Sequence, residues 1–246
     1  MGIITLLCGA LGCAAQTAER VETAPDVFTT PTGIDVKMYC IKHGSIRMQV
    51  GGYWLYVDPV GKAAQPVTDY TTLPKADAIL ITHEHGDHLD AEAISQLSKE
   101  WTLLITNARS SEQLDRRCLV MKNGDVQTAP NGWSLQAVPA YNTSADKQQF
   151  HPKGRDNGYV MDIDGLRIYI AGDTEDISEM QDIRDIDVAF LPCNLPYTMS
   201  PEQFAKAAKT ISPKVLFPYH YGQTDMQQVV RLLEGSGIDV RIRPYQ

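Results

Sequence analysis

The stretch ITHEHGDHLD, residues 81–90, holds three of the six histidines in this 246-residue chain. The apolar run ADAILIT, residues 76–82, leads into it and has the composition of a buried strand. A helix-like segment begins at Asp90, so the polar side chains between the two are predicted to lie on a strand-to-helix loop. The ligand-type side chains of that loop are His83, His85, Asp87 and His88.

Imidazole nitrogens and carboxylate oxygens are the usual donors to Zn²⁺, which makes this loop a candidate metal site. His83 and His85 are expected to point toward one position. Asp87 and His88 are expected to reach a neighbouring position, because Gly86 permits backbone angles that other residues resist. An exposed loop that is rich in histidine by chance is the alternative, and the clustering of half of the chain's histidines in six positions argues against it.

Strand-like and helix-like segments alternate on both sides of this loop. Residues 34–246 contain no internal repeat and no linker, which predicts a single domain over this range. The mixed content favours an α/β (α+β) fold in which helices pack outside sheets. The predicted strands are IDVKMYCI (34–41), IRMQV (46–50), YWLYVD (53–58), DAILIT (77–82), WSLQAVPA (133–140), GYVMDI (158–163), LRIYIAG (166–172), DVAFLP (187–192) and KVLFPYH (214–220). The predicted helices are DAEAISQLSKE (90–100), SPEQFAKAAKT (200–210) and TDMQQVVRLLEG (224–235).

The charge balance argues against a nucleic-acid partner. The chain has 22 basic and 30 acidic residues, a net charge of −8, and no run that is dense in lysine or arginine. Binding to nucleic acid needs clustered positive charge to neutralise the phosphates. A small-molecule substrate is the expected partner, and the sequence leaves the oligomeric state open.

The N-terminal run IITLLCGALGCAAQ, residues 3–16, is typical of a secretory leader. Its ALGC portion loosely resembles a lipobox that ends at Cys13, which would anchor the protein to a membrane through lipid. We therefore expect residues 1–33 to be a leader and an extension, and the protein to be exported to the periplasm or lipid-anchored. No lysine or arginine precedes the run, so a cytoplasmic protein is the alternative.

The spacing H-x-H-x-D-H of residues 83–88 resembles the motif of the metallo-β-lactamase-fold hydrolase superfamily. The stretch is similar to the form found in its ascorbate-phosphate-lactonase-like and N-acylphosphatidylethanolamine-phospholipase-D-like branches. IYIAGDT resembles the strand that ends in the metal-bridging aspartate, here Asp173. LFPYHYGQTD resembles the strand that ends in the last histidine ligand, here His220. The resemblance implies a four-layer αββα sandwich with a two-metal site at the edge shared by its two sheets.

One ligand position departs from the pattern of the superfamily. Several relatives have a histidine after the strand that precedes GDT, where this chain has Asn142. His151 follows nine residues later, and imidazole is a better zinc ligand than an amide. We therefore predict that His151 is the ligand, with Asn142 or an empty position as the alternatives.

The resemblance implies two divalent metal ions, zinc or else manganese. The implied ligands are His83, His85 and His151 for one ion and Asp87, His88 and His220 for the other, with Asp173 as the bridge. A hydroxide between the metals, where the pKa of bound water can fall to about 7, would attack a lactone, ester or phosphodiester. Asp87 and His220 are also predicted to be catalytic.

Other polar side chains near these motifs are candidates for supporting roles. Asp90 and Thr174 are predicted to hydrogen-bond the ligands from outside the metal set, although Asp90 also reads as a helix cap. Lys153 and its neighbour Arg155 are candidates to bind an anionic substrate group. The predicted substrate-binding residues are Asn142, Lys153, Tyr197 and Tyr219, for which packing or a solvated loop is the alternative. His43, in the turn KHGS, is interpreted as a surface residue.

Two rival functions use the same fold. A catalytically silent metal-binding protein is expected if the first metal site lacks its third ligand. A redox diiron enzyme would carry H-x-E-x-D, and His85 stands where that glutamate would be. The sequence therefore favours a zinc- or manganese-dependent, lactonase-like hydrolase.

Overall fold

The computed structural model describes residues 24–244 and contains two seven-stranded sheets. The first sheet follows chain order and consists of β1 Asp26–Thr29, β2 Asp35–Lys42, β3 Ser45–Val50, β4 Tyr53–Val57, β5 Ala78–Leu80, β6 Leu103–Thr106 and β7 Leu119–Val120. The second sheet has the spatial order β14 to β8 and consists of β8 Val126–Thr128, β9 Ser134–Ala140, β10 Asp156–Ile163, β11 Leu166–Ile170, β12 Val188–Pro192, β13 Val215–Tyr219 and β14 Asp239–Val240. The helices are α1 Ala91–Leu97, α2 Ala108–Glu112, α3 Pro201–Ile211 and α4 Met226–Leu232, with 3-10 turns at Tyr70–Thr72 and Ser178–Asp182.

Each sheet has an antiparallel part followed by a parallel part. Strands β1 to β4 pair antiparallel and β4 to β7 pair parallel. In the second sheet, β8 to β11 pair antiparallel and β11 to β14 pair parallel. Neighbouring parallel strands end at the same edge of a sheet, so the loops after β4 and β5, and those after β11, β12 and β13, collect at such edges.

Alternating apolar side chains explain how the layers form. In β5, Ile79 packs against α1, whereas the next residue, Leu80, points into the core between the two sheets. In β6, Leu104 likewise packs on the side of α1, and Ile105 points into the core between the sheets. On the second sheet, α3 buries an apolar side made of Phe204, Ala205, Ala207, Ala208 and Ile211. The four-layer αββα sandwich is therefore confirmed.

All nine predicted strands and all three predicted helices are present. The start of α3 has the capping box that its sequence predicts. Ser200 Oγ accepts a hydrogen bond from the N–H of Gln203 (3.2 Å), and Gln203 Oε1 accepts one from the N–H of Ser200 (3.0 Å). Pro201 occupies the first turn, where the missing N–H of proline costs nothing.

The sequence prediction missed α2 and the five short strands β1, β6, β7, β8 and β14. These strands have only two to four residues, too few to show a period of two. Strand β1 precedes residue 34, so the predicted extension contributes to the sheet, and Asp26 in it pairs with Arg241 (3.0 Å) and Arg243 (2.6 Å). The predicted leader run, residues 3–16, lies outside the described residues. Between residues 24 and 244, no helix is both long and apolar enough to cross a bilayer.

Candidate metal centre

The histidine-rich loop leaves β5 at Thr82 and turns at once. Asp58, directly after the neighbouring β4, accepts hydrogen bonds from the Thr82 N–H (2.8 Å) and hydroxyl (2.6 Å), which fixes where the loop starts. The His88 N–H donates to the His85 carbonyl (2.9 Å) and closes the turn. Gly86 is not among the described residues with positive φ, so the expectation that this turn needs glycine geometry is wrong.

Asp173, which follows β11, is the point where side chains from both sheets meet. Its carboxylate lies 3.9 Å from His83 Nε2, 3.4 Å from His88 Nε2, 3.4 Å from His151 Nε2 and 3.3 Å from His220 Nε2. Two donors that each bind a tetrahedral zinc ion at about 2.1 Å stand about 3.4 Å apart. The spacing around Asp173 therefore suits metal ions held between these atoms.

Three groups of side chains place their ligand atoms within 4.8 Å of one another. The groups are His83, His85 and His151; His83, His88 and Asp173; and His43, Asp87, His88 and His220. The first and third groups contain the two predicted ligand sets. His151 joins the first set, whereas Asn142 directs its amide N–H groups to the carbonyls of Lys147 (3.1 Å) and Tyr197 (2.8 Å).

Carboxylates outside the predicted ligand set orient two of the imidazoles. His88 Nδ1 lies 2.8 Å from Asp58 Oδ2, and His151 Nδ1 lies 3.0 Å from Asp156 Oδ2. Because an ionised carboxylate only accepts, the proton is on Nδ1 in both rings and Nε2 is left to face Asp173. Pairing of this kind fixes the orientation of metal-binding histidines and increases their basicity.

The surroundings lower the pKa of His83 and raise the pKa of the neighbouring His88. Burial lowers the pKa of His83 well below its usual 6.5, and the charges of His88 and His151 lower it further. Burial would also lower the pKa of His88, but Asp173 and Asp58 outweigh it and raise that pKa to about 10. The carboxylates around His88 therefore favour a positive charge there, which a proton or a metal cation can supply.

Several buried atoms of the cluster lack a hydrogen-bond partner within residues 24–244. They are His88 Nε2, Nδ1 and Nε2 of His220, and Asp173 Oδ1. Buried polar atoms in folded proteins are almost always paired, and each exception needs an explanation such as an ion. Imidazole and carboxylate groups are donors that divalent metals prefer, so the residues present fit a metal centre.

His43 is not a surface residue, and that interpretation is wrong. Its side chain is only 17% exposed, its Nε2 lies 3.0 Å from Asp87 Oδ2, and its ring centroid lies 3.8 Å from that of His220. All six histidines of the chain therefore lie in one cluster. The packing of the two sheets brings the turn between β2 and β3 to the site. No local sequence pattern predicts that contact.

The two residues predicted to support the ligands bond elsewhere. Asp90 caps α1 by accepting from the N–H groups of Glu92 and Ala93, and its other oxygen accepts from Gly61 N–H (2.9 Å). The carboxylate partner of His88 is Asp58 instead. Thr174 bridges to the backbone of Tyr141 after β9, so it braces two loops of the site rather than an imidazole.

The two basic side chains predicted to bind an anion are already paired. Lys153 Nζ lies 2.6 Å from Glu179 Oε1 and also donates to the Tyr141 hydroxyl (3.1 Å). Arg155 donates to Asp156 and pairs with Glu84 (3.2 Å). These contacts place both cations in the scaffold of the loop that carries His151.

The two predicted substrate-binding tyrosines differ in exposure. Tyr219 is fully buried in β13 with its ring against Phe190, so it belongs to the core and not to a substrate surface. Tyr197 is 45% exposed and packs edge-on against Phe150, the residue before His151. Tyr197 is therefore the tyrosine that a substrate can reach.

Three carboxylates of the site were missed by sequence reasoning. Asp58 and Asp156 sit at the ends of strands next to the motif-bearing loops, and that placement is the signal that could have identified them. Glu175 accepts hydrogen bonds from Thr143, Ser144 and Lys147, which ties down the loop leading to His151. Its position two residues after Asp173 gave no indication of this role.

A family model described as the Beta-lactamase superfamily domain matches residues 37–220. The chain belongs to this superfamily. The match includes every predicted metal ligand, from the H-x-H-x-D-H loop to the histidine that follows β13.

Proteins described as metal-dependent hydrolases resemble the chain over most of its length. A UPF0173 metal-dependent hydrolase of Anoxybacillus flavithermus is 31% identical over 215 residues, which cover 81% of this chain and 94% of the relative. The crystal structure of a proposed metal-dependent hydrolase from Parabacteroides distasonis has a TM-score of 0.87 and 50% identity, and covers 92% of this chain and 100% of that one. Igni18, a metallo hydrolase from Ignicoccus hospitalis, has a TM-score of 0.70 and 25% identity, with 85% and 94% of the two chains covered.

Proposed function

We propose that the protein is a two-metal hydrolase. The observation that carries the proposal is the Asp173 carboxylate, which four imidazole Nε2 atoms from both sheets approach to 3.3–3.9 Å. One divalent ion, zinc or else manganese, would be held in the group that contains His151, and a second in the group that contains His220, with Asp173 between them. Relatives described as a metal-dependent hydrolase and a metallo hydrolase support metal-dependent hydrolysis.

Bound divalent ions would supply an activated water molecule and would stabilise negative charge that develops on a substrate oxygen. Among the proposed ligands, Asp87 has an exposed side chain (41%), whereas those of His83 and His88 are fully buried. Burial would raise the pKa of Asp87, but the nearby His220 ring at 3.6 Å and the hydrogen bond with His43 outweigh it and hold that pKa below its usual range. Asp87 thus stays ionised near neutral pH and can orient the attacking water by accepting its hydrogen bond.

The surroundings of the site favour an uncharged carbonyl substrate, a lactone or an ester, over a phosphodiester. Lys153 and Arg155, the cations of the adjacent loop, are neutralised by Glu179, Asp156 and Glu84. Leu195 and Tyr197, which are 51% and 45% exposed, follow β12, the strand between those that lead to Asp173 and His220. An apolar substituent of the substrate can bury these side chains from water.

Metal analysis combined with a hydrolysis screen tests the proposal. We expect about two ions per chain after reconstitution with Zn²⁺ or Mn²⁺, and faster turnover of lactones or p-nitrophenyl esters than of bis-p-nitrophenyl phosphate. A stoichiometry that stays at one under excess metal would contradict the two-metal site. Two bound ions with no hydrolysis of any substrate would indicate a silent metal-binding protein.

A matched pair of variants tests the ligand assignment. His151→Ala should lower metal affinity and hydrolysis at least as much as the 10- to 100-fold typical for residues that only orient a ligand. Asn142→Ala removes hydrogen bonds to two carbonyls, worth about 1 kcal/mol each, and should still bind two ions. The reverse ranking of the two variants would refute the assignment of His151.

A further inference from the structure

The turn between β2 and β3 touches every residue of the proposed second metal set. His43 Nε2 lies 3.0 Å from Asp87 Oδ2, and the His43 carbonyl accepts a hydrogen bond from the His220 N–H (3.0 Å). Gly44 lies so close to His88 that a Cβ atom there would stand 2.8 Å from the His88 Cε1 atom. A turn of the first sheet is thus fitted against ligands from both sheets.

The backbone at this contact has an unusual conformation. His43 and His220 adopt left-handed φ values of 46° and 47°, and Asp58, which pairs with His88, has a φ of 43°. Residues other than glycine rarely adopt this conformation, and such strain persists where the surrounding structure enforces it, often at functional sites. A two-residue hairpin turn favours positive φ, but glycine, asparagine or aspartate supplies it with less strain than histidine does.

Asp87 needs an anchor if it is to hold a metal ion. Its side chain is 41% exposed, and its Oδ2 atom lies 3.0 Å from His43 Nε2 and 3.6 Å from His220 Nε2. The distance to His43 is that of a hydrogen bond and is shorter than the about 3.4 Å expected for two donors on one tetrahedral ion. This favours a hydrogen bond to the ligand over direct coordination by His43.

We propose that His43 is a positioning residue for the second metal ion. Its Nε2–H donates to Asp87 Oδ2 and keeps that carboxylate beside His220 before a metal arrives. Pre-ordering removes rotamer freedom that binding would otherwise have to remove, so it increases metal affinity. The inference rests on the proposed two-metal function and adds a residue outside the predicted ligand set.

Metal titration of His43→Ala and His43→Gln tests this role without any assay of activity. Wild-type protein should bind two Zn²⁺ or Co²⁺ ions in calorimetry, and His43→Ala should bind one ion with wild-type affinity and the second about 10- to 100-fold more weakly. His43→Gln keeps an N–H donor at a similar reach and should recover part of the loss. The absorption spectrum of the Co²⁺ protein should change in the band that appears with the second equivalent.

A control variant separates this effect from general backbone strain. Asp164→Ala also places alanine at a left-handed turn position (φ 53°), but Asp164 contacts Thr30 and Thr32 instead of the site. It should lower stability and leave both metal affinities unchanged. Should His43→Ala fail to fold, His43→Gln and the Co²⁺ spectrum decide the question.

The outcomes distinguish this inference from the proposed function. If the wild type binds two ions and both His43 variants match its second affinity, the positioning role is overturned and the two-metal function stands. If the wild type binds only one ion under excess metal, the two-metal function fails, and the role of His43 fails with it.

Discussion

Buried aspartates outside the ligand set hold the imidazoles of the site in place. Asp58 accepts hydrogen bonds from the Thr82 backbone, the Thr82 hydroxyl and His88 Nδ1 at 2.6–2.8 Å. It therefore ties the start of the histidine-rich loop to one of the rings at its end. Asp156 Oδ2 likewise lies 3.0 Å from Nδ1 of His151. These two carboxylates therefore fix the orientation of the rings of His88 and His151.

Asp58→Asn should weaken the second metal site. An asparagine keeps the size of the side chain and tolerates the left-handed backbone at this position, but it loses the charge that favours Nδ1–H on His88. We expect a 10- to 100-fold loss of affinity for the second ion in calorimetric titration. Asp90→Asn is the control, because asparagine caps helices well and Asp90 touches no imidazole. Equal loss in the two variants would contradict this role of Asp58.

The ionisation of Glu175 should make the stability of the folded protein depend on pH. Burial would raise its pKa, but hydrogen bonds from Ser144 and Lys147 outweigh it and lower the pKa from 4.5 to about 2. A pKa below its unfolded value means that the ionised group stabilises the fold above about pH 4.5, and this stabilisation is lost as the pH falls toward 2. Glu175→Gln should thus melt below the wild type at pH 7, with a gap that narrows below pH 4.5.

Thermal melts of both proteins between pH 7 and pH 3 measure that gap. Glu112→Gln is a suitable control, because Glu112 pairs with Arg109 on the exposed face of α2. A gap for Glu175→Gln that stays constant across this range would show that its charge does not stabilise the loop before His151.

At the scale of elements, the sequence predicts what depends on neighbours along the chain. Strands β2 and β3 alternate in hydrophobicity, α3 has its capping box, and the H-x-H-x-D-H loop concentrates its ligands within six residues. Asp173 and His220 were predicted because IYIAGDT and LFPYHYGQTD resemble motifs of the metallo-β-lactamase-fold superfamily. His43 could not be recognised in this way, because its contacts with Asp87 and His220 join residues 44 and 177 positions apart. The same holds for the hydrogen bonds of Glu175, which are set by the packing of two loops.

Gly44→Ala should disturb the fit of the β2–β3 turn against the site. The added Cβ would stand 2.8 Å and 3.0 Å from ring atoms of His88, which is fully buried and cannot move aside freely. Overpacking of this kind costs about 1–3 kcal/mol. It should also displace His88 from Asp58 and lower the affinity for the second metal ion by about 10-fold or more. Calorimetric titration and a thermal melt measure the two effects.

Gly52→Ala in the next hairpin turn is the matched control. A Cβ atom at Gly52 meets nothing within 4 Å, and its φ is outside the left-handed region. Metal binding by this variant should equal that of the wild type. If Gly44→Ala also retained wild-type affinity for both ions, the turn would not constrain the site.

At the scale of the whole molecule, the cluster connects the two sheets of the sandwich. The loop with His83, His85, Asp87 and His88 leaves the first sheet, whereas His151, Asp173 and His220 belong to loops of the second. Each proposed ion would therefore have ligands from both sheets. A metal bound across two layers stabilises only the state in which the layers are packed, because the unfolded chain does not bring these ligands together.

Removal of metal should consequently lower the melting temperature. With free metal at about 100 times its dissociation constant, binding to the folded state adds about 2.7 kcal/mol per site. In a chain of this size about 1 kcal/mol moves Tm by about 2–4 °C, so one site accounts for a shift of about 5–11 °C. Differential scanning calorimetry with and without a chelator measures this shift. Asp173→Asn, which weakens the link between the sheets, should show a much smaller response to the chelator. A wild-type Tm that is the same with excess Zn²⁺ and with chelator would mean that no ion spans the two sheets.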